Sequence, residues 1–402
     1  MKKQPLWTRD FLGISFISFF LFIVFYILLT TLPIYVLNEL EGNETQVGLI
    51  VSVFLIAAVL CRPLTGKWID QLGRKKILLS SVMIFFISSF LYLWTDSIPL
   101  LLALRFLHGI GFGMATTATG AIIADIVPNR RKGEGLGYYA LFMNLAMVIG
   151  PFAGLTIIQF TSFSLLFILC AILALIALLL SLLVRIPEVD TSIAVTKQPA
   201  KFSFASFFEK NAIPVSIVGG VLALAYSGIL SFISVYASEL GLLKAASFFF
   251  VVYAASIVLS RPFTGRWFDL YGENKIIYPS ILLFAIGMVL LSQAESTFLF
   301  LFSAAIIGLG YGSLSPSLQT IAIKNSDPTK RGLATSTFFT FFDSGIGLGS
   351  YALGVVAVYT SLSTLYLVLA GVVLLALLAY YLLHGKESAA KSIIHNEADA
   401  SI

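Results

Sequence analysis

The chain has 402 residues, of which 58% are hydrophobic and only 11% charged, and its mean hydropathy is +0.97. About a quarter of the residues in soluble domains are charged, so this composition excludes an ordinary water-soluble fold. The formal net charge of +5 does not point to a nucleic-acid partner, because the charges are sorted into alternate connections between apolar runs.

Crossing a bilayer takes about 20 predominantly apolar residues as a helix, with every backbone polar group bonded internally. In chain order the apolar runs predict helices near 11–37, 46–66, 77–95, 99–126, 136–158, 163–185, 213–237, 245–264, 276–294, 297–323, 332–358 and 362–384. The first run follows Lys2, Lys3 and Arg9 but is too long for a signal peptide, and no small-residue cleavage site follows it. The expected fold is an all-α polytopic membrane protein: twelve transmembrane helices in two six-helix bundles, 1–185 and 213–384. Residues 186–212, with Pro187, Asp190, Lys197 and Pro199, read as a cytoplasmic linker, and 385–402 as a polar cytoplasmic tail.

One set of connections carries Lys67, Arg74, Lys75, Lys76, Arg130, Arg131, Lys132, Arg266, Lys275, Lys330 and Arg331; the other carries Glu39, Glu41, Glu44, Asp96, Glu239 and Glu295 with Lys244 as its only base. The positive-inside rule then places both termini in the cytoplasm. Cys61 and Cys170 lie inside apolar runs without Cys or His at ligand spacing, so no disulfide, metal or other cofactor is expected.

The sequence RPLTGKWIDQLGRKKI from Arg62 returns as RPFTGRWFDLYGENKI from Arg261, 199 residues later (261 − 62). The same offset carries Gly109, Gly111 and Gly113 onto Gly308, Gly310 and Gly312, Gly150 onto Gly349, and Asn144 onto Asp343. Six spans separate the copies, so the repeat is parallel, as in transporters whose cargo site lies between two bundles.

With the repeat in hand, the chain resembles the major facilitator superfamily over essentially its whole length, and within it the twelve-helix drug:proton antiporter branch. Gly66 to Lys76 resembles the loop signature between helices 2 and 3, with Gln71 where an Arg is usual. Arg105, Gly109, Gly111 and Gly113 resemble the helix 4 signature; Gly150, Pro151 and Gly154 resemble the antiporter signature of helix 5, with Leu155 in place of its final glycine. The resemblance implies a small-molecule cargo, protons as the coupling ion, and function as a monomer in the bilayer.

Physically, Gly66 and Gly73 are expected to let the chain turn sharply, while Asp70 and Arg74 pair or cap a helix end. In the family this loop latches one conformation, so Gly66, Asp70, Gly73, Arg74, Lys75 and Asp125 form the expected latch; Arg131 reads more simply as a flanking charge. In the second copy Glu273 and Asn274 replace Arg74 and Lys75, so the turn is expected to persist and the pairing to be lost.

Arg105 lies about six residues into its predicted helix, with His108 a turn further on; a charge at that depth faces a partner or a wet cavity, or else snorkels outward. His108 reads as a satisfied packing histidine. Asp343 falls near the middle of the eleventh span, roughly 16 Å from either end at the helical rise, where no acid could snorkel to water. There a proton and a cationic ligand would compete for one carboxylate, a physical basis for antiport, with Arg105 and Asn144 as companion polar positions; a permanent structural pairing of Asp343 is the competing reading. Gly345, Gly347 and Gly349, with Gly150 and Gly154 of the fifth span, are expected to allow close helix packing or bending where the bundles meet, close packing alone being the plainer reading, and Gly109 and Gly113 are expected to pack the fourth span. Other functions considered are transport of one metabolite, such as a siderophore, metallophore or sugar, and a membrane enzyme or signalling scaffold. Three His, no phosphate loop and short connections argue against the last.

Overall fold

The computed structural model describes residues 6–128, 132–186, 208–326 and 331–386. Among these residues every regular element is helical, and twelve helices are long and apolar enough to cross a membrane. The chain divides into two compact units, Met1–Lys201 and Phe202–Ile402. Most of the expected linker and tail lies outside the described residues.

The first unit contains α1 (Arg9–Asn38), α2 (Glu44–Leu72), α3 (Arg74–Leu91), α4 (Ile98–Ile126), α5 (Lys132–Phe160) and α6 (Phe163–Leu183). Here α1 packs on α5 and α6, α4 on α2 and α3, and α3 on α6. The second contains α7 (Ile213–Glu239), α8 (Leu243–Tyr271), α9 (Asn274–Ser292), α10 (Thr297–Lys324), α11 (Arg331–Ala357) and α12 (Leu362–Tyr380). Its helices pair in the corresponding order: α7 with α11 and α12, α10 with α8 and α9, and α9 with α12. The duplication read from the sequence is thus a duplication of packing.

Local chemistry fixes the helix ends. Asn43 and Gln46 form a reciprocal capping box at the start of α2, and Thr8 accepts from the Phe11 N–H at the start of α1. The sharp turn expected at Gly66 is not there. The apolar run of α2 ends near Gly66, but the helix continues to Leu72 and breaks only at Gly73, whose φ of 88° is left-handed. A side chain at Gly66 would meet open space, so this glycine costs the helix some propensity without stopping it. The second unit repeats the device: α8 runs to Tyr271 and turns at Gly272, φ 84°. The charged loop motif therefore rides on a rigid helical extension.

Within each unit the signature glycines pack helices closely. A methyl group on Gly109 would collide with the Phe54 carbonyl, and one on Gly113 would sit 2.5 Å from that of Ala58, so α4 and α2 touch backbone to backbone. Gly150 and Gly154 bring α5 onto Tyr26, Ile27 and Thr31 of α1, with Pro151 buried between them. Gly345 and Gly349 bring α11 onto Gly220 and Leu224 of α7, and Gly347 is buried on the same helix.

Candidate functional site

Arg105 does not snorkel. It is 1% exposed, with Nε donating to the Ile50 carbonyl at 3.1 Å and the guanidinium stacked 4.1 Å above the Phe54 ring. Its partners are the α2 backbone and aromatic faces, with the Tyr92 hydroxyl alongside. That hydroxyl lies 3.2 Å from Nδ1 of His108, whose Nε2 lies 3.2 Å from Ser89 Oγ. The four residues form a buried polar chain between α2, α3 and α4, and His108 is hydrogen-bonded through both ring nitrogens.

A second buried network ties α5 to its neighbours: the Tyr139 hydroxyl lies 2.8 Å from Ser18 Oγ and donates to Thr119 Oγ1 at 3.0 Å. Neither Tyr92 nor Tyr139 stood out in the sequence. Their only signal was a tyrosine in an apolar run, and 16 tyrosines share it.

At the loop end of the first unit, Arg74 pairs with Asp125, Nε to Oδ2 2.5 Å, joining the start of α3 to the end of α4. The side chain of Asp70, its expected partner, lies outside the described residues, as does Arg131. Lys75 reaches across to α6. Its ammonium donates to the carbonyls of Ser181, Leu182 and Val184 at 2.6, 3.0 and 2.5 Å, capping the C-terminal end of α6. Asp10 completes this end by accepting from the Arg185 N–H at 2.8 Å.

In the second unit the side chain of Asp269 lies outside the described residues, and the residues at the positions of Arg74 and Lys75 have partners of their own. Glu273 meets Nε2 of His384, just beyond α12, at 2.5 Å, while Asn274 donates to the Gly385 carbonyl and accepts from the Tyr380 hydroxyl. Asn274, at the repeat position of Lys75, still holds the end of the sixth helix of its unit. The positions of Arg74 and Asp125 have exchanged charge, becoming Glu273 and Lys324, and the Lys324 ammonium stacks on Phe268 at 4.8 Å.

Asp343 sits twelve residues into α11, about 18 Å along the axis, half-buried and preceded by the aromatic run Phe338, Phe339, Phe341 and Phe342. Asn144 holds the repeat position on α5 and is also half-buried. Over the described stretch of each span, a smaller share of residues is buried in α5 and α11 than in the other ten, 28% and 33%, and that of α11 is the least apolar. Arg105 and Asp343 belong to different units. Among the described residues no group of His, Cys, Asp and Glu is arranged to hold a metal ion.

With the geometry established, relatives can be placed beside it. A family profile described as Major Facilitator Superfamily matches residues 14–252 and 215–399. The staphylopine export protein of Staphylococcus aureus is 24% identical over 86% of this chain and 89% of its own. Multidrug resistance protein 1 of Bacillus subtilis is 28% identical over 72% of this chain and 75% of its own. Among solved structures, a bacterial homolog to the human lysosomal transporter Spinster superposes with a TM-score of 0.77 at 16% identity, covering 95% of this chain and 97% of that one.

Proposed function

The chain belongs to the Major Facilitator Superfamily, a multi-pass membrane transporter family, and from that premise we propose that it exports small amphiphilic molecules, drugs among them, in exchange for protons by alternating access. The observation that carries this reading is Asp343: a carboxylate in mid-span on α11, whose described stretch is the least apolar and second least buried of the twelve spans. A half-exposed acid at that depth is too costly to face lipid and belongs on a water-accessible path. On that path a proton and a cationic cargo compete for the one carboxylate.

Arg105 and Asn144 are the companion positions in the first unit. The Arg74–Asp125 pair, with Asp70, Gly66, Gly73 and Lys75, is the conformational latch, and both termini lie in the cytoplasm. The protein works as a monomer. The test is transport in vesicles with an imposed pH gradient: cargo accumulation should follow the gradient and collapse with a protonophore, and movement indifferent to the gradient would sink the proposal.

A second reading, export of one specific metabolite, draws support from the similarity to a staphylopine exporter. Competition among unrelated hydrophobic cations separates the two, because a drug exporter is inhibited by many of them and a metabolite exporter by almost none.

A further inference from the structure

A pocket of about 270 Å³ opens on the second unit where α8 ends and α9 begins, lined by Trp267, Tyr271, Lys275 and Ile276. Its aromatic walls are turned outward: Trp267 is 47% and Tyr271 65% exposed, and Phe263 and Leu270 beside them are exposed too. Lys275 is exposed and is the second residue of the span that begins at Asn274. Arg266, next to Trp267, is exposed as well, and the nearby carboxylate Glu273 is engaged with His384. Among the described residues no acid lines the pocket.

We propose that this pocket binds the headgroup of an anionic phospholipid, with Lys275 on the phosphate, Trp267 and Tyr271 flanking the glycerol, and Phe263 and Leu270 on the acyl chains. Exposed Trp and Tyr belong at the headgroup level, where their rings are apolar and their N–H or O–H is wet, and a basic pocket between helices at that level selects negative lipids. The repeat adds a second argument. Trp267, Lys275 and Ile276 return at Trp68, Lys76 and Ile77, 199 residues earlier, although the intervening loop exchanged Arg74 for Glu273 and Lys75 for Asn274. The lysine that points outward was kept while the two residues that hold the helices together changed. This inference is independent of the cargo and of proton coupling.

The experiment uses full-length protein with Trp7, Trp68 and Trp94 replaced by Phe, so that Trp267 is the only indole. It is reconstituted in phosphatidylcholine vesicles carrying an equal fraction of acyl-brominated phosphatidylglycerol or acyl-brominated phosphatidylcholine. Quenching of Trp267 should report an association about fivefold stronger for phosphatidylglycerol, the scale of one lysine at a membrane surface. Lys275→Gln should abolish the preference and Lys275→Arg should restore it. Equal quenching by both lipids, or a preference that survives Lys275→Gln, overturns the proposal. Displacement of the preference by soluble glycerol phosphate also overturns it, assigning the pocket to a free phosphate instead. Native mass spectrometry of the wild-type chain and Lys275→Gln with the same two lipids gives a second reading without tryptophan substitutions: selective retention of phosphatidylglycerol by the wild type alone supports the site, and equal retention contradicts it.

Discussion

The first unit buries a polar chain, Ser89, Tyr92, Arg105 and His108; at the repeat positions the second unit buries Met288, Leu291, Ala304 and Ile307. The same exchange occurs around Tyr139 and Thr119, whose counterparts are Phe338 and Leu318, with Phe338 packed on Gly219 of α7. The mid-span carboxylate runs the other way, Asp343 in the second unit against Asn144 in the first. Two copies of one packing plan have therefore divided their chemistry: one holds a cation inside a hydrogen-bonded core, the other an acid on a scaffold that is apolar at those core positions. The difference teaches that the helix contacts depend on small residues and apolar volume, because networks this costly to bury could be replaced wholesale without changing which helices touch.

That comparison can be broken by moving residues across it. The largest effect is expected at Arg105. Arg105→Met brings the first unit closer to the apolar second at this point, and it removes a buried charge whose desolvation is offset by a backbone carbonyl, the Phe54 ring and the Tyr92 hydroxyl. Thermal unfolding of the purified protein should occur at an equal or higher temperature, since filling such a site with apolar volume is often neutral or stabilising. Transport in vesicles should fall by on the order of tenfold, about 1.4 kcal/mol in the barrier. A variant that melts far earlier would make Arg105 structural instead.

A smaller effect is expected at the loop pair. Arg74→Glu sets two acids face to face, and adding Asp125→Lys recreates the charge order of Glu273 and Lys324. The pair is partly exposed, 22% and 39% for the two side chains, so its worth is below about 1 kcal/mol. Transport should drop about two- to fivefold in the single variant and largely recover in the double one. No recovery would mean that Arg74 acts through something other than Asp125.

The smallest effect is expected at Tyr139, where Phe is what the second unit already uses. Tyr139→Phe gives up contacts to two buried hydroxyls, each worth about 1 kcal/mol, and should lower the melting temperature by a few degrees while transport stays at the wild-type rate. A loss of transport without a loss of stability would move Tyr139 into the working machinery.

Much of this organisation can be read before any coordinates are seen, for a physical reason: hydrocarbon forces helices, and the duplication leaves matched residues 199 apart. The helix ends and the partners of charged groups are harder. Gly66 looks like a turn because the apolar run stops there, but helical hydrogen bonding does not depend on apolar side chains and carries α2 on to Leu72. Lys75 looks like a member of a charge cluster, yet its acceptors are backbone carbonyls 106 to 109 positions away, and carbonyls have no signature in a sequence. Arg105 announces a buried cation, but only packing reveals that its company is Phe54 and the Ile50 carbonyl. Asp343 is the opposite case, conspicuous because it is an acid in a span that could otherwise cross unaided.

The division of labour turns on Asp343 and can be tested there by proton release. Purified protein in weakly buffered detergent solution should release a proton when a hydrophobic cation such as tetraphenylphosphonium binds, and the affinity should fall as pH falls, because the proton and the cation compete for one carboxylate. Asp343→Asn, which copies Asn144 into the second unit, should bind without releasing a proton and without pH dependence. Equal proton release from the wild type and Asp343→Asn would contradict the account.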